Sequence, residues 1–130
     1  MKRQIRILLM DKGLREASFF QKNLSKHGYK VDVDINPQET LGKLNSKKYD
    51  VIILDASVSQ GNGLSILDRI HSEHPEERVI VVSASPSWRE GKEAYSKGAI
   101  DYISKSFDEV SLLNSLREGL EKPIHSFTRK

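Results

Sequence analysis

The stretch VIILD at residues 51–55 is an unbroken apolar run that ends on an aspartate. A short run of β-branched and other apolar residues bounded by polar ones predicts a strand buried on both faces, as in a parallel sheet. Three comparable runs lie along the chain: IRILLMD at 5–11, VIVVS at 79–83 and DYISK at 101–105. In such sheets ligands bind at the carboxyl ends of the strands, so the polar residues that end these runs form the candidate site.

Those polar residues are Asp11, Asp55, Ser83 and Lys105. Each alone has an ordinary explanation, because strand-end aspartates often cap helices, serines form turns and lysines are usually solvated. Four such residues on four strand ends, in this order, indicate instead one shared polar site.

Segments with helical spacing alternate with the strands and predict a single α/β domain of the (βα)5 type. The alternating segment YKVDVDI at 29–35 predicts an additional strand at a sheet edge. Gly28 is expected to end the first helix, and Ser87 with Glu90 has capping-box spacing for the fourth. In the last helix Asp108 is the expected cap, Phe107 the residue of a hydrophobic staple with Leu112, and Gly119 a weak point of about 1 kcal/mol relative to alanine.

Composition limits the classes of protein that fit. The chain has 130 residues, no cysteine and a net charge of +3 from 21 basic and 18 acidic residues, which excludes a disulfide framework or a thiolate metal site. The basic residues are scattered, so direct nucleic-acid binding is not expected. The apolar run near the N-terminus is too short for a signal peptide or a membrane span, and we expect a cytoplasmic protein without membrane contact.

Three segments together resemble the receiver domain of two-component response regulators. They are VIILDASVSQGNG at 51–63, VVSAS at 81–85 and GAIDYISKSF at 98–107, and the resemblance extends over residues 4–121. It implies a flavodoxin-like, doubly wound sheet of five parallel strands in the order 2-1-3-4-5. Residues 1–121 would form the receiver domain, and 122–130 a C-terminal tail or the start of a linker.

The resemblance also assigns roles to individual residues. It makes Asp55 the phosphoacceptor, Ser83 the hydroxyl that follows the phosphoryl group, Lys105 its cationic partner and Tyr102 the aromatic switch. These roles suit the chemistry, because a carboxylate attacking phosphorus needs positioning and nearby positive charge. Tyr102 has an alternative structural reading, in which it only packs against the sheet edge.

The residues expected to bind magnesium depart most from the family pattern. The resemblance implies Mg²⁺ held by Asp11, Asp55 and the backbone carbonyl of Ser57, but the family usually has two adjacent acids where this chain has Asp11 followed by Lys12. An ammonium group can neutralise carboxylates, yet it cannot supply the oxygen coordination that Mg²⁺ requires. We therefore expect weakened metal binding, with Lys12 either modifying the pocket or pointing to solvent.

Other departures from the family pattern affect the loops. Ser106 replaces a common proline after the lysine, Ser59 and Asn62 stand where proline and aspartate are frequent, and Ser83 replaces the commoner threonine. Only the last lies among the four strand-end residues, and it keeps the hydroxyl.

These expectations lead to two functions of different class. In the first, Asp55 accepts a phosphoryl group from a histidine kinase or phosphotransfer protein and signals through helix four, strand five and helix five to an effector, without being an enzyme; a homodimer is one option for its assembly. In the second, the chain is a pseudo-receiver, an interaction module that works without phosphorylation. A flavodoxin-like cofactor binder is disfavoured, because DKGLRE at 11–16 has a single glycine where a phosphate-binding loop is needed.

Two smaller features remain open from the sequence. His71 and His74 could share a metal ion or lie on the solvated C-terminal face of the third helix. Trp88 could contact a partner or be a half-buried anchor of the fourth helix.

Overall fold

The computed structural model describes residues 4–11, 14–34, 37–58, 64–105 and 109–121. Along these residues five strands alternate with five helices, as the sequence predicts. The strands are β1 Arg6–Met10, β2 Lys30–Asp34, β3 Val51–Asp55, β4 Val79–Ser83 and β5 Asp101–Ser104. The helices are α1 Leu14–Lys26, α2 Pro37–Ser46, α3 Ser65–Glu73, α4 Trp88–Ser96 and α5 Glu109–Glu121, with a 3₁₀ turn over Ala56–Val58.

The five strands are parallel and lie in the order β2-β1-β3-β4-β5, which confirms the predicted doubly wound sheet. β1 pairs with β2 on one side and with β3 on the other. The winding of the chain reverses between β1 and β3, and folds of this type bind their ligands at the carboxyl edge of that point. Asp11 follows β1 and Asp55 ends β3, so both predicted acids lie at the reversal.

The core consists of two apolar layers, one on each face of the sheet. Because successive strand residues point to opposite faces, Leu8 and Met10 of β1 join a cluster with residues of α2, α3 and α4. Ile7 and Leu9 join a second cluster with residues of α1 and α5. All five residues of β3 are buried, as the unbroken VIILD run predicts.

Local end signals of the helices agree with the sequence where the structure describes them. Gly28 follows α1 with a φ of +91°, a left-handed conformation that favours glycine. Ser87 caps α4, and its side-chain oxygen accepts a hydrogen bond of 3.0 Å from the backbone N–H of Glu90. Phe107 and Asp108, the predicted staple and cap of α5, lie outside the described residues.

Gly119 has a packing role that helix propensity does not reveal. A Cβ atom at this position of α5 would lie 3.0 Å from Cδ1 of Ile100 and 3.4 Å from Cδ1 of Ile80. The glycine therefore lets α5 pack closely on the sheet, which offsets its intrinsic cost to the helix.

Candidate functional site

Asp11, Asp55 and Lys105 meet at the carboxyl edge of the sheet. The Nζ atom of Lys105, just after β5, lies 3.0 Å from Oδ2 of Asp11 and 2.5 Å from Oδ2 of Asp55. The Lys105 side chain is only 13% exposed, and those of Asp11 and Asp55 are 2% and 3% exposed. A charge-assisted bridge in this setting is short and strong, so one ammonium group holds both acids.

The charges of this cluster stabilise each other. Burial alone would raise the pKa of the Asp55 carboxyl, but hydrogen bonds from Lys105 and Ser57 hold that pKa below its usual value. Burial alone would lower the pKa of the Lys105 ammonium, but the Asp55 and Asp11 carboxylates raise it well above its usual value. At neutral pH Asp55 is therefore an ionised carboxylate beside a protonated lysine.

The backbone after β3 orients the Asp55 side chain. The N–H of Ser57, in the 3₁₀ turn, donates a 2.9 Å hydrogen bond to Oδ1 of Asp55. With Oδ2 bonded to Lys105, both carboxylate oxygens have a donor. The carboxylate is thus fixed at the edge of the sheet, as a pre-positioned nucleophile requires.

Ser83 lies on the neighbouring strand and is tied to Lys105 through the backbone. The N–H of Lys105 donates a 2.8 Å hydrogen bond to the carbonyl oxygen of Ser83. The Ser83 side chain is buried, and its hydroxyl oxygen accepts a 3.2 Å hydrogen bond from the N–H of Ser85. The structure therefore places all four strand-end residues at one edge, with Asp11, Asp55 and Lys105 in direct contact.

Tyr102 links β5 to the start of α4. Its hydroxyl donates a 2.6 Å hydrogen bond to Oε1 of Glu90 and accepts one of 3.1 Å from the N–H of Ser87. Burial and then Glu90 raise the pKa of the Tyr102 hydroxyl, while smaller interactions with Ser87 and Ser83 oppose the rise. Its ring packs on Gly91, where an added Cβ would lie 3.0 Å from the ring carbon Cδ2. Tyr102 thus contacts the helix as well as the sheet edge.

Local spacing in the sequence does not reveal this role of Glu90. Capping-box spacing predicts that the Glu90 carboxylate returns to the N–H of Ser87, but the structure inserts the Tyr102 hydroxyl between these two groups. Only the Ser87 half of the box forms in the usual way. The i, i+3 spacing was a visible signal, but the tyrosine comes from another strand and cannot be found by local spacing.

The oxygen donors of the pocket are of the type that Mg²⁺ prefers. The carboxylates of Asp11 and Asp55 meet at Lys105, and the backbone carbonyl of Ser57 stays a predicted ligand. The residues fit the ion in chemistry, although Oδ2 of each aspartate is bonded to Lys105. A cation entering this pocket must share these oxygens with the lysine.

Some predicted residues of the site and its loops lie outside the described part of the chain. They are Lys12, Ser59, Asn62 and Ser106. Trp88 is 79% exposed, so its interpretation as a half-buried anchor of α4 is wrong. None of the described helices is long and apolar enough to cross a membrane.

Comparison with known proteins is consistent with this geometry. A family model described as "Response regulator receiver domain" matches residues 7–117. The chain is 29% identical over 117 residues to the transcriptional regulatory protein PcoR of Escherichia coli, covering 90% of this chain and 52% of that protein. It is 32% identical over 116 residues to the response regulator ArlR of Staphylococcus aureus, covering 89% and 52%. The chain thus spans about half the length of these curated relatives.

Among solved structures, the chain is similar to the signal receiver domain of an HD domain-containing protein from Pseudomonas fluorescens. The TM-score is 0.82 at 30% identity, covering 92% of this chain and 96% of that one. The similarity therefore extends over most of both chains.

Proposed function

This chain belongs to the family of response regulator receiver domains, and from that membership we propose that Asp55 is its phosphoacceptor. Receiver domains are signalling modules and generally not enzymes, and response regulators pair with histidine kinases and effector domains. The observation that carries the proposal is the ammonium group of Lys105 between the buried carboxylates of Asp55 and Asp11.

The proposed reaction is phosphoryl transfer from a phosphohistidine of a kinase or phosphotransfer protein. An oxygen of the Asp55 carboxylate attacks phosphorus and forms the new P–O bond, while the P–N bond breaks and its electron pair stays on the imidazole. Lys105 keeps Asp55 ionised before attack and binds a phosphoryl oxygen afterwards, and the Ser83 hydroxyl donates a hydrogen bond to another. Positioning and charge neutralisation thus supply most of the catalysis.

Receiver domains generally bind Mg²⁺ at the acidic pocket. In this chain we assign it to Asp11, Asp55 and the Ser57 carbonyl, where it would neutralise phosphoryl oxygens. The test is incubation with acetyl phosphate and Mg²⁺, followed by intact-mass and peptide mass spectrometry. One phosphoryl group on the Asp55 peptide is expected; a chain that stays unmodified at every Mg²⁺ concentration contradicts the proposal.

The signal is proposed to reach α4 through Tyr102. A phosphoryl group adds about 1.5 to 2 negative charges, and Lys105 responds to it while its backbone remains bonded to Ser83. Tyr102 lies on β5, which pairs with the strand that ends at Ser83, and its hydroxyl holds the first turn of α4 through Glu90 and Ser87. Phosphorylation at the pocket therefore takes place close to the Tyr102 contact that sets the position of α4.

We propose that an effector binds the face formed by α4, β5 and α5. We also propose that the protein is cytoplasmic. Trp88 and Tyr95 of α4 are exposed by 79% and 51%, and Lys92 stacks its ammonium 4.9 Å from the centroid of the Trp88 ring. Large exposed aromatic side chains are typical of contact surfaces. The same face is the place for a second copy if the protein forms a homodimer.

Replacing Tyr102 by phenylalanine is expected to uncouple the pocket from α4. Tyr102→Phe removes both hydrogen bonds of the hydroxyl and should lower the free energy of unfolding by about 1 kcal/mol. Asp55 labelling should persist, while the phosphorylation-induced change in Trp88 fluorescence should fall by about half or more. Tyr95→Phe is the matched control, because the Tyr95 hydroxyl donates a 3.2 Å hydrogen bond to Oδ1 of Asp101 rather than to Glu90. An undiminished Trp88 response in Tyr102→Phe contradicts the relay.

The second candidate function, a pseudo-receiver that works without phosphorylation, is favoured by one sequence feature. Lys12 follows Asp11 where the family usually has a second acid, so the sequence supplies one carboxylate fewer and one more basic residue at this position. Such a pocket should bind Mg²⁺ weakly.

Substitution of Lys12 should measure how far this residue weakens the metal site. Lys12→Asp is expected to tighten Mg²⁺ binding by about tenfold or more, which is about 1.4 kcal/mol. The measurement is a Mg²⁺ titration followed by the Asp55 amide shift. Lys30→Asp has the same change of charge at the exposed start of β2, at the opposite edge of the sheet, and should leave the affinity unchanged. Equal affinities of wild type and Lys12→Asp would place Lys12 outside the site.

A further inference from the structure

The turn that joins α3 to β4 brings together three metal-ligating side chains at the amino edge of β4. One ligand atom from each of His74, Glu76 and Glu77 lies within 4.8 Å of the other two. The phosphoacceptor pocket is at the carboxyl edge, so the length of β4 separates the two places. The proposed receiver function does not use any of these three residues.

The backbone of this turn is well defined by hydrogen bonds. The N–H of His74 donates to the carbonyl oxygen of Ile70 at 2.7 Å, and the N–H of Glu77 donates to the carbonyl oxygen of His74 at 3.0 Å. Pro75 occupies the second position of the turn, where its fixed φ is preferred. The ligand groups are therefore carried on a stiff backbone, which lowers the entropic cost of binding an ion.

Glu77 is a buried acid with one carboxylate oxygen that lacks a hydrogen-bond partner among the described residues. The residue is only 8% exposed, and among the described residues its Oε1 atom is buried without a hydrogen-bond partner. Burying an unpaired polar group is costly, and burying an unpaired charge more so. A cation bound between the three residues would give the buried Glu77 carboxylate a positively charged partner.

We propose that His74, Glu76 and Glu77 bind a divalent transition-metal ion of the Zn²⁺ type. One imidazole and two carboxylates form a ligand set that suits Zn²⁺, whereas Mg²⁺ prefers oxygen ligands alone. Three protein ligands leave a coordination position for water. The site also lies at the C-terminus of α3, where the helix dipole favours a cation.

His71 is not one of the three clustered ligands, and the pairing of His71 with His74 that the sequence left open stays a prediction. The His71 ring lies against Gly98, close enough that an added Cβ there would be 2.4 Å from Nδ1. His74 contributes its ligand atom to a cluster with the two glutamates instead.

The test is a Zn²⁺ titration of the full chain, followed by calorimetry and by the imidazole nitrogen shifts of the histidines. We expect saturable binding that shifts the His74 imidazole, and affinities lowered by about tenfold or more in His74→Gln and in Glu76→Gln. Glu76 is exposed, so its replacement leaves the fold intact, and Glu77→Gln adds a third ligand variant. His27→Gln is the matched histidine control and should bind like wild type.

Two results would overturn the proposal: a His74 imidazole unaffected by Zn²⁺, or equal affinities of wild type, His74→Gln and Glu76→Gln. The same titration in an Asp55→Asn background should give the wild-type affinity, since the pocket at the other edge is not involved. Failure of this site therefore leaves the phosphoacceptor proposal standing, and the reverse also holds.

Discussion

The Asp55→Asn variant is expected to incorporate no phosphoryl group from acetyl phosphate at any Mg²⁺ concentration. An amide oxygen is a poor nucleophile and cannot form the stable acyl phosphate that the Asp55 carboxylate forms. The replacement keeps the size of the side chain, and Lys105 retains its 3.0 Å contact with Asp11. The fold should therefore persist while labelling is lost completely.

The measurement is intact-mass spectrometry after incubation with acetyl phosphate, with far-UV circular dichroism to verify the fold. Asp68→Asn is the matched control, because Asp68 is 59% exposed and pairs with Lys97 on the surface. The control should be labelled like wild type. Labelling of Asp55→Asn at the wild-type level would assign the phosphoacceptor to another residue.

Lys105→Met is expected to lower the free energy of unfolding by about 3 kcal/mol or more near neutral pH, because removing one partner of a buried ion pair leaves an uncompensated charge. Here one cation serves two buried carboxylates, Asp11 and Asp55. The variant should also label more slowly, since the ammonium that binds the phosphoryl oxygen is gone.

The destabilisation should depend on pH with a defined sign. The pKa of Asp55 is held below its usual value, so its contribution to stability is present above the unfolded pKa of about 3.9 and disappears as the pH falls through the folded value. The raised pKa of Lys105 gives a contribution present below the unfolded pKa of about 10.4 and lost as the pH rises through the folded value. The difference in free energy of unfolding between wild type and Lys105→Met is therefore largest between these two unfolded pKa values. It becomes smaller in acid.

Urea unfolding near neutral pH and in acid measures this difference. Lys97→Met is the control: Lys97 pairs with Asp68 at 3.0 Å and Glu93 at 3.1 Å on the surface, where such pairs contribute about 1 kcal/mol or less. A Lys105→Met variant no less stable than Lys97→Met would contradict the view that Lys105 compensates both acids.

Much of the fold follows from patterns that are local in the sequence. The unbroken run VIILD at 51–55 predicts a strand buried on both faces, and all five residues of β3 are buried. Gly28 and Ser87 mark helix ends through the backbone conformations and hydrogen bonds that their own types favour. The strand order required the resemblance to a known family, because periodicity does not say which strands become neighbours.

The convergence of Asp11, Asp55, Ser83 and Lys105 on one edge was also predictable, since the carboxyl ends of parallel strands lie together. The sequence could not show which lysine pairs with which of the two acids. The pattern left open whether Lys12 modifies the pocket or points to solvent, and it did not show that Lys105 bonds to Asp11 as well as to Asp55.

Sequence alone therefore determined the elements of this protein, their alternation and the residue types at the strand ends. The tertiary structure alone decided that Lys105 bridges two acids 94 and 50 residues away, that the Tyr102 hydroxyl enters the cap of α4, and that Glu77 is buried beside His74. The physical reason is the separation along the chain of the residues that interact. Strand and helix patterns arise from neighbouring residues, whereas ion pairing and desolvation depend on which distant groups the folded chain brings within a few ångströms.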